Sequence, residues 1–279
     1  MICTMDSYII LIIIGFAVGT LGTLIGAGGG FLLVPLLIFT HSELSPEIIT
    51  AISIAIVGCN AISGSLAYAR FKRIDYKAGL LFAAFTIPGS IAGVYTTQYI
   101  PKTIFNILFG VLLIALASFL FFKKISSSTQ PALSMNNKNL KTHLLTDKEG
   151  TTYQYTYNQY TGIFISIIVG YLSPVLGIGG GIIHVPALVN WLRFPVLIAT
   201  ATSHFILAIM ATVSVVVHIA KGNYNDPHIL RMVVGLSMGV IAGAQLGALL
   251  SHKIKGNIII RALAVCLGLV GMRILFTVL

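Results

Sequence analysis

Acidic side chains are scarce in this chain, with seven Asp and Glu among 279 residues against seventeen Lys and Arg. Charged residues of both signs reach only 9%, far below the roughly 25% typical of soluble domains, which excludes a water-soluble globular fold. The lack of carboxylates inside apolar stretches also disfavours a cation or proton relay built from Asp and Glu within the membrane. Cysteine is equally thin. Cys59 and Cys266 fall in apolar stretches and Cys3 precedes the first, so neither a disulfide framework nor metal-ligand spacing is present. With no paired carboxylates and no nucleophile beside a base in those stretches, an enzyme is the weakest reading, and neither metal nor cofactor is expected.

What the chain has is hydrophobic length. Apolar residues make up 57% and mean hydropathy is +0.97. Runs of about 20 residues, each long enough to cross a bilayer as a helix, lie at 47 to 69, 77 to 97, 103 to 122, 196 to 220, 229 to 249 and 257 to 279. Two longer stretches, 8 to 39 and 162 to 192, complete an all-α integral membrane protein of the cell inner (plasma) membrane, crossing it several times. The first stretch is too long for a cleaved signal peptide. A net charge of +10 would suggest nucleic acid in a soluble protein, but here the cations gather in loops. Arg70, Lys72, Arg73 and Lys77 flank Asp75, and Lys123, Lys124, Lys138, Lys141 and Lys148 lie in the central polar segment, as the positive-inside rule asks of cytoplasmic loops. The expected partners are therefore lipid and a small solute, with no nucleic acid; a homo-oligomer is left open.

The pattern GxGGGxxxVP occurs twice, as Gly26-Ala27-Gly28-Gly29-Gly30 running to Val34-Pro35 and as Gly177-Ile178-Gly179-Gly180-Gly181 running to Val185-Pro186. Ser53 and Ser203, Gly89 and Gly239, and Gly93 and Gly243 recur at nearly the same offset. The chain thus divides into two homologous repeats of about four hydrophobic segments each, 1–122 and 160–279, joined by a polar cytoplasmic linker, 123–159. Tyr153, Tyr155, Tyr157 and Tyr160 close that linker. They fit an interfacial aromatic anchor, and the alternation of the first three also fits a short strand.

As unbroken helices 8–39 and 162–192 would reach about 48 Å, too long for one span, so the glycines divide them into 8–25 plus 31–39 and 162–176 plus 182–192. Each pair is either a discontinuous crossing, which makes the repeats parallel, or a re-entrant hairpin, which inverts them. Loop charge does not choose: Lys221 and Arg231 oppose Lys253 and Lys255. Paired broken helices facing one midplane site are a recurrent transporter design, which favours inversion.

A helix begins after each GxGGG tip, and its first turn offers unpaired N–H groups and the positive end of the dipole. Such a place prefers an anion, and glycine lets backbone amides approach it closely. The plainer role of the glycines is close helix packing. The candidate substrate-binding set is Gly28, Gly29, Gly30, Gly179, Gly180 and Gly181, with the hydroxyls of Ser53, Thr202 and Ser203. A hydroxyl can donate to an oxyanion without burying a charge, or bond back to its own helix. His184 and His204 join the set as intramembrane imidazoles, whereas His218, at a helix end, reads as interfacial. Asn60 and Gln245 suit interhelical hydrogen bonds; Arg261 and Arg273 suit snorkelling to the surface or neutralising an anion.

The two glycine motifs, the Gly89/Gly93 and Gly239/Gly243 helices and the Lys72-Arg73-Ile74-Asp75 loop together resemble the TauE/SafE sulfite exporter family. The resemblance covers nearly the whole chain except the linker. It implies about eight hydrophobic segments in two repeats and transport of small sulfur-containing anions such as sulfite, thiosulfate or organosulfonates. The long linker and His184, standing where the first motif has Leu33, depart from the family pattern. The reading is therefore a secondary transporter and exporter of such anions; the alternative is a membrane scaffold or assembly protein without flux of its own.

Overall fold

The computed structural model describes residues 7–122, 140–251 and 256–278, with the backbone alone at 120, 122, 256–263, 266, 277 and 278. Cys3, Lys123, Lys124, Lys138, Lys253 and Lys255 lie outside the described residues, as do the side chains of Arg261 and Cys266. The elements are α1 (Tyr8–Ile25), α2 (Gly30–Thr40), α3 (Pro46–Arg70), α4 (Tyr76–Thr97), α5 (Lys102–Phe122), β1 (Leu140–Thr146), β2 (Thr152–Asn158), α6 (Gln159–Leu176), α7 (Gly181–Asn190), α8 (Val196–Ala220), α9 (Pro227–Leu250) and α10 (Gly256–Val278). Among the described residues, seven helices are long and apolar enough to cross a membrane, while α2 and α7 are too short.

Local chemistry sets several helix starts. Ser45 accepts from the Ile48 N–H with Pro46 in the first turn, Asp75 accepts from the Ala78 N–H, and Asp226 caps α9 just before Pro227. Ile9, Ile13, Leu80, Val111 and Leu249 point outward, where lipid replaces water and no polar partner is needed. Helix α3 is the most enclosed of the spans.

The helix directions follow from the contacts. α1 runs parallel to α9: Gly239 faces the Ile12 carbonyl, Gly243 that of Phe16 and Gly247 that of Thr20, each too close to leave room for a Cβ. α4 and α6 pair in the same parallel sense, Gly162 against Phe82 and Gly93 against Tyr171 and Pro174. Two other pairs run antiparallel. Along α3 and α8, Glu47 pairs with Lys221, Gly58 faces Ala211 and Tyr68 meets His204; along α5 and α10, Gly110 faces Leu275 and Gly268 faces Ala117.

One end of the bundle therefore collects the start of α1, the end of α2, the start of α3 and the α8–α9 turn. Arg231 stands 5.1 Å over the Tyr8 ring, the His41 and His228 rings are 6.1 Å apart, and Asn223 donates to Glu47 at 3.0 Å. Helices α1 and α2 thus leave from and return to the same end, as a re-entrant pair whose turn lies at mid-depth against Val57 of α3. At the opposite end, β2 runs straight into α6, and Phe194, beyond the end of α7, packs 4.5 Å from Tyr155. α6 and α7 share that end.

The fold is mostly helical but not all-α. β1 and β2 form an antiparallel hairpin with Leu140 opposite Asn158 and Thr146 opposite Thr152, inside the segment expected to be a plain linker. The tyrosine alternation is the reason. With side chains on opposite faces of a strand, Tyr155 and Tyr157 point inward and are buried beside Phe194 and Phe82. Only Tyr160 is left exposed, as an anchor would be.

Candidate functional site

Two short glycine turns separate α1 from α2 and α6 from α7. Gly26, Gly28 and Gly29 have φ of 82°, 80° and 86°, and Gly177, Gly179 and Gly180 have 67°, 78° and 64°, a left-handed conformation that a side chain would strain. The first turn is tied back by Ala27 and Gly28 N–H groups donating to the Gly22 carbonyl at 2.8 and 3.2 Å. Beyond that tie, the N–H groups of Gly29, Gly30 and Phe31 find no acceptor among the described residues. In the second turn the same holds for Ile178, Gly179, Gly180 and Ile182. Donors clustered at a helix start form a concavity of positive potential.

The turns meet. Gly30 lies against the Gly177 carbonyl and Ile178, and Gly181 against the Gly26 carbonyl and Ala27, so closely that neither position has room for a Cβ. Thr50 packs on Gly177 and Thr200 on Gly26, while Val57 covers Gly28, Gly30 and Gly179. Ser53 donates to the Gly177 carbonyl at 2.5 Å. Ser203, one turn beyond Thr200 on α8, is fully buried with no hydrogen-bond partner for its hydroxyl. The structure therefore brings together Gly28, Gly29, Gly30, Gly179, Gly180, Gly181 and Ser53, with Ser203 one turn away.

His184 is buried in the first turns of α7, next to Val185, which touches Gly26. Both of its ring nitrogens lack a partner, and its ring centre is 6.4 Å from that of Phe82. Thr202 and His204 face elsewhere. The Thr202 hydroxyl accepts from the Asp75 N–H at 3.0 Å, at the α3–α4 turn. His204 meets the Tyr68 ring edge-on at 5.6 Å and packs on Gly64. Neither of its ring nitrogens makes a hydrogen bond of good geometry, although the Thr200 backbone lies near.

A buried polar group beside His204 is not readable from the sequence. Thr23 donates to Asn60 at 2.7 Å, Tyr68 donates to the Thr23 carbonyl at 2.9 Å, and the Asn60 amide nitrogen stays unpartnered. These residues are distant in sequence and share no motif. Only the interhelical role of Asn60 is apparent beforehand.

The comparisons with known proteins point to a family of membrane transport proteins. The model of the family described as Sulfite exporter TauE/SafE matches residues 11–274. The chain belongs to the TauE/SafE family. It is 31% identical over 276 residues to "Probable membrane transporter protein YunE" of Bacillus subtilis, covering 97% of this chain and 98% of that one. It is 27% identical to "Probable membrane transporter protein MJ0441" of Methanocaldococcus jannaschii, covering 95% and 94%. A Xylella fastidiosa protein also named a probable membrane transporter shares 25%, covering 91% and 88%. No solved structure gives a significant match. This TauE/SafE chain is thus a multi-pass membrane protein of a transporter family.

Three further polar groups fall into place in the TauE/SafE bundle. Gln245 donates to the Ser63 carbonyl and hydroxyl at 2.8 and 2.9 Å, an interhelical bond as expected. Arg273 lies 4.5 Å over the Phe39 ring. His218 lies in the last turn of α8. It is fully buried, 2.8 Å from Asn223 and packed on Tyr224, because the α8–α9 turn folds back over the helix end.

The hairpin docks on the α3–α4 turn. Asp75 receives the Tyr155 hydroxyl at 2.6 Å and lies 2.5 Å from His143 Nδ1. Burial, together with the Asp75 charge, pushes the Tyr155 and Tyr157 hydroxyls well up, so both remain donors. Arg73, 1% exposed, meets Asp147 and Glu149. Burial opposes ionisation of Asp147, but the N–H groups of Thr151 and Glu149 and the Arg73 charge outweigh it, holding this carboxyl below its usual range.

Proposed function

We propose that this TauE/SafE protein is a secondary transporter, and an exporter, of small sulfur-containing anions such as sulfite, thiosulfate or organosulfonates, bound between the two glycine turns. The observation that carries the reading is the meeting of two helix starts, α2 and α7, at mid-depth, with the N–H groups of Gly29, Gly30 and Phe31 in one turn and of Ile178, Gly179, Gly180 and Ile182 in the other unclaimed among the described residues. Ser203 supplies an idle hydroxyl donor near it, Ser53 one that would have to leave the Gly177 carbonyl, and His184, in the first turns of α7 and beside Phe82, is the titratable candidate. Backbone N–H and hydroxyl donors suit a small oxyanion, and the family's description as sulfite exporters supports transport and points to sulfur-containing ones among them.

The helix directions support two inverted repeats, 1–122 and 160–279. α3 and α8 run antiparallel, as do α5 and α10, while each re-entrant pair enters from its own end. Such a pair of bundles can open alternately around a fixed central site. Arg70, Lys72, Arg73, Lys77, Lys148 and Arg193 gather at the hairpin end, which favours the cytoplasm for that end. An interior-negative potential then favours export of one negative charge by about 2.3 kcal/mol per 100 mV.

The test is an anion-panel flux assay in liposomes with pH and potential clamped separately. Saturable flux of sulfite or a sulfonate, with chloride excluded, is expected. Absence of flux for every sulfur anion, with no stabilisation of the purified protein by sulfite, would leave the membrane scaffold as the function.

A further inference from the structure

The hairpin covers a cation whose donors are mostly idle. Arg73 is 1% exposed, yet its Nε and Nη1 have no hydrogen-bond partner. Its Nη2 is shared loosely between Asp147 at 3.4 Å and Glu149 at 3.3 Å, beyond the roughly 2.7–2.9 Å usual for charge-assisted bonds. Its guanidinium carbon lies 5.4 Å from the centre of the Phe71 ring. Guanidinium is a planar fork suited to two oxygens of one oxyanion, and here that fork is buried beneath two carboxylates without being saturated by them.

The cover is the hairpin turn, while the strands behind it are anchored on Asp75 through Tyr155 and His143. Lys148 donates its N–H to the Phe71 carbonyl at 3.0 Å, which lays the hairpin turn over Arg73. Asp147 needs only one oxygen for the turn itself: Oδ1 accepts from the Glu149 and Thr151 N–H groups at 2.9 and 3.0 Å, leaving Oδ2 for Arg73 and the Tyr153 hydroxyl. Glu149 can swing away, its side chain being 58% exposed. Arg73 is two residues before Asp75, whose N–H meets Thr202, the residue next to Ser203. The covered cation therefore stands at the hairpin end of the bundle, close to the Asp75–Thr202 contact on α8.

We propose that Arg73 is an anion-receiving site at the hairpin end of the bundle, for small oxyanions of the sulfonate, sulfite or carboxylate class, and that Asp147 and Glu149 of the hairpin occupy it as built-in competitors. Lifting the hairpin turn exposes the guanidinium, and an incoming anion replaces the two carboxylates on it. The proposal rests on the anion-transport reading above. A site occupied by its own competitor shows an affinity reduced by the fraction of time it is free. Removing the competitor sharpens apparent affinity without altering the maximal rate.

The experiment is sulfite and methanesulfonate flux in liposomes, with anion presented at the hairpin end, for wild type, the Asp147→Asn/Glu149→Gln double variant, Arg73→Lys and Arg73→Gln. The Asp147→Asn change retains a side-chain oxygen able to accept from the N–H groups at positions 149 and 151, and amide exchange of the β1–β2 ladder checks that the hairpin persists. The double variant should lower KM by roughly threefold to tenfold at unchanged maximal rate. Arg73→Lys should raise KM, and Arg73→Gln should raise it further and abolish the gain when combined with the double variant. An unchanged KM in the double variant, or an Arg73→Gln protein that loses only stability, would reduce the cluster to a structural ion pair and overturn the proposal while leaving anion transport standing. A wild type that moves no anion fails both.

Discussion

Ser53 and Ser203 offer a pair of matched substitutions whose effects on stability and on transport should come apart. Both hydroxyls are fully buried, but Ser53 donates to the Gly177 carbonyl at 2.5 Å whereas Ser203 has no partner. Ser53→Ala leaves that carbonyl unpaired in the bundle interior, a loss of about 1–3 kcal/mol. Ser203→Ala deletes a hydroxyl whose desolvation is uncompensated, so stability should hold or rise. If Ser203 donates to the anion in the bound state, its loss removes a charge-assisted hydrogen bond of about 1.5–3 kcal/mol, which is a factor of roughly ten or more in affinity. Thermal unfolding in detergent, run with and without sulfite, reads both quantities in one sample. Ser53→Ala should unfold at lower temperature, while Ser203→Ala should unfold at or above the wild-type temperature yet lose its stabilisation by sulfite. A Ser203→Ala protein that binds sulfite normally refutes the reasoning, because the idle buried hydroxyl would then have no ligand.

Gly30→Ala and Gly181→Ala each drive a methyl into the opposite glycine turn and should cost about 1–3 kcal/mol by overpacking; the expected loss of flux with near-normal expression is read in liposomes. Gly243→Leu acts at the α1–α9 contact, where the Phe16 carbonyl occupies the missing Cβ's place, and should cut the yield of folded, detergent-stable protein more sharply than either. Tyr155→Phe removes a 2.6 Å bond to Asp75, so ladder amides of the hairpin should exchange faster while the helices keep their protection. Asp147, with its folded pKa held below the ordinary 3.8, contributes hairpin stability that is fully present above that value and lost as pH falls through the lower folded value. Exchange at Glu149 and Thr151 should accelerate below about pH 4 in the wild type, whereas Asp147→Asn should show no such acid step.

Helix extents were largely legible from the apolar runs: 196 to 220 coincides with α8, and 8 to 25 with α1. The glycine clusters mark where α1 and α6 stop because positive φ and missing side chains are local properties. The direction taken after the turn is not local. Whether α2 continues across or returns depends on which helix its end meets, here through His41 beside His228 and Glu47 beside Asn223. The hairpin was half visible, since tyrosine alternation specifies a strand, but its docking required Asp75 and Arg73 of a distant turn. Thr202 and Ser203 are adjacent in sequence, and one is taken by Asp75 while the other is left idle.

By itself the sequence determined a membrane-embedded helical chain, two glycine breaks and the donors gathered near them, because hydropathy, backbone freedom and side-chain chemistry belong to residues one at a time. The tertiary structure alone decided that the two breaks face each other, that each helix pair returns to its own end, and that a hairpin covers Arg73. Those are relations between segments far apart along the chain, fixed by which surfaces pack at glycine-close range rather than by any local pattern.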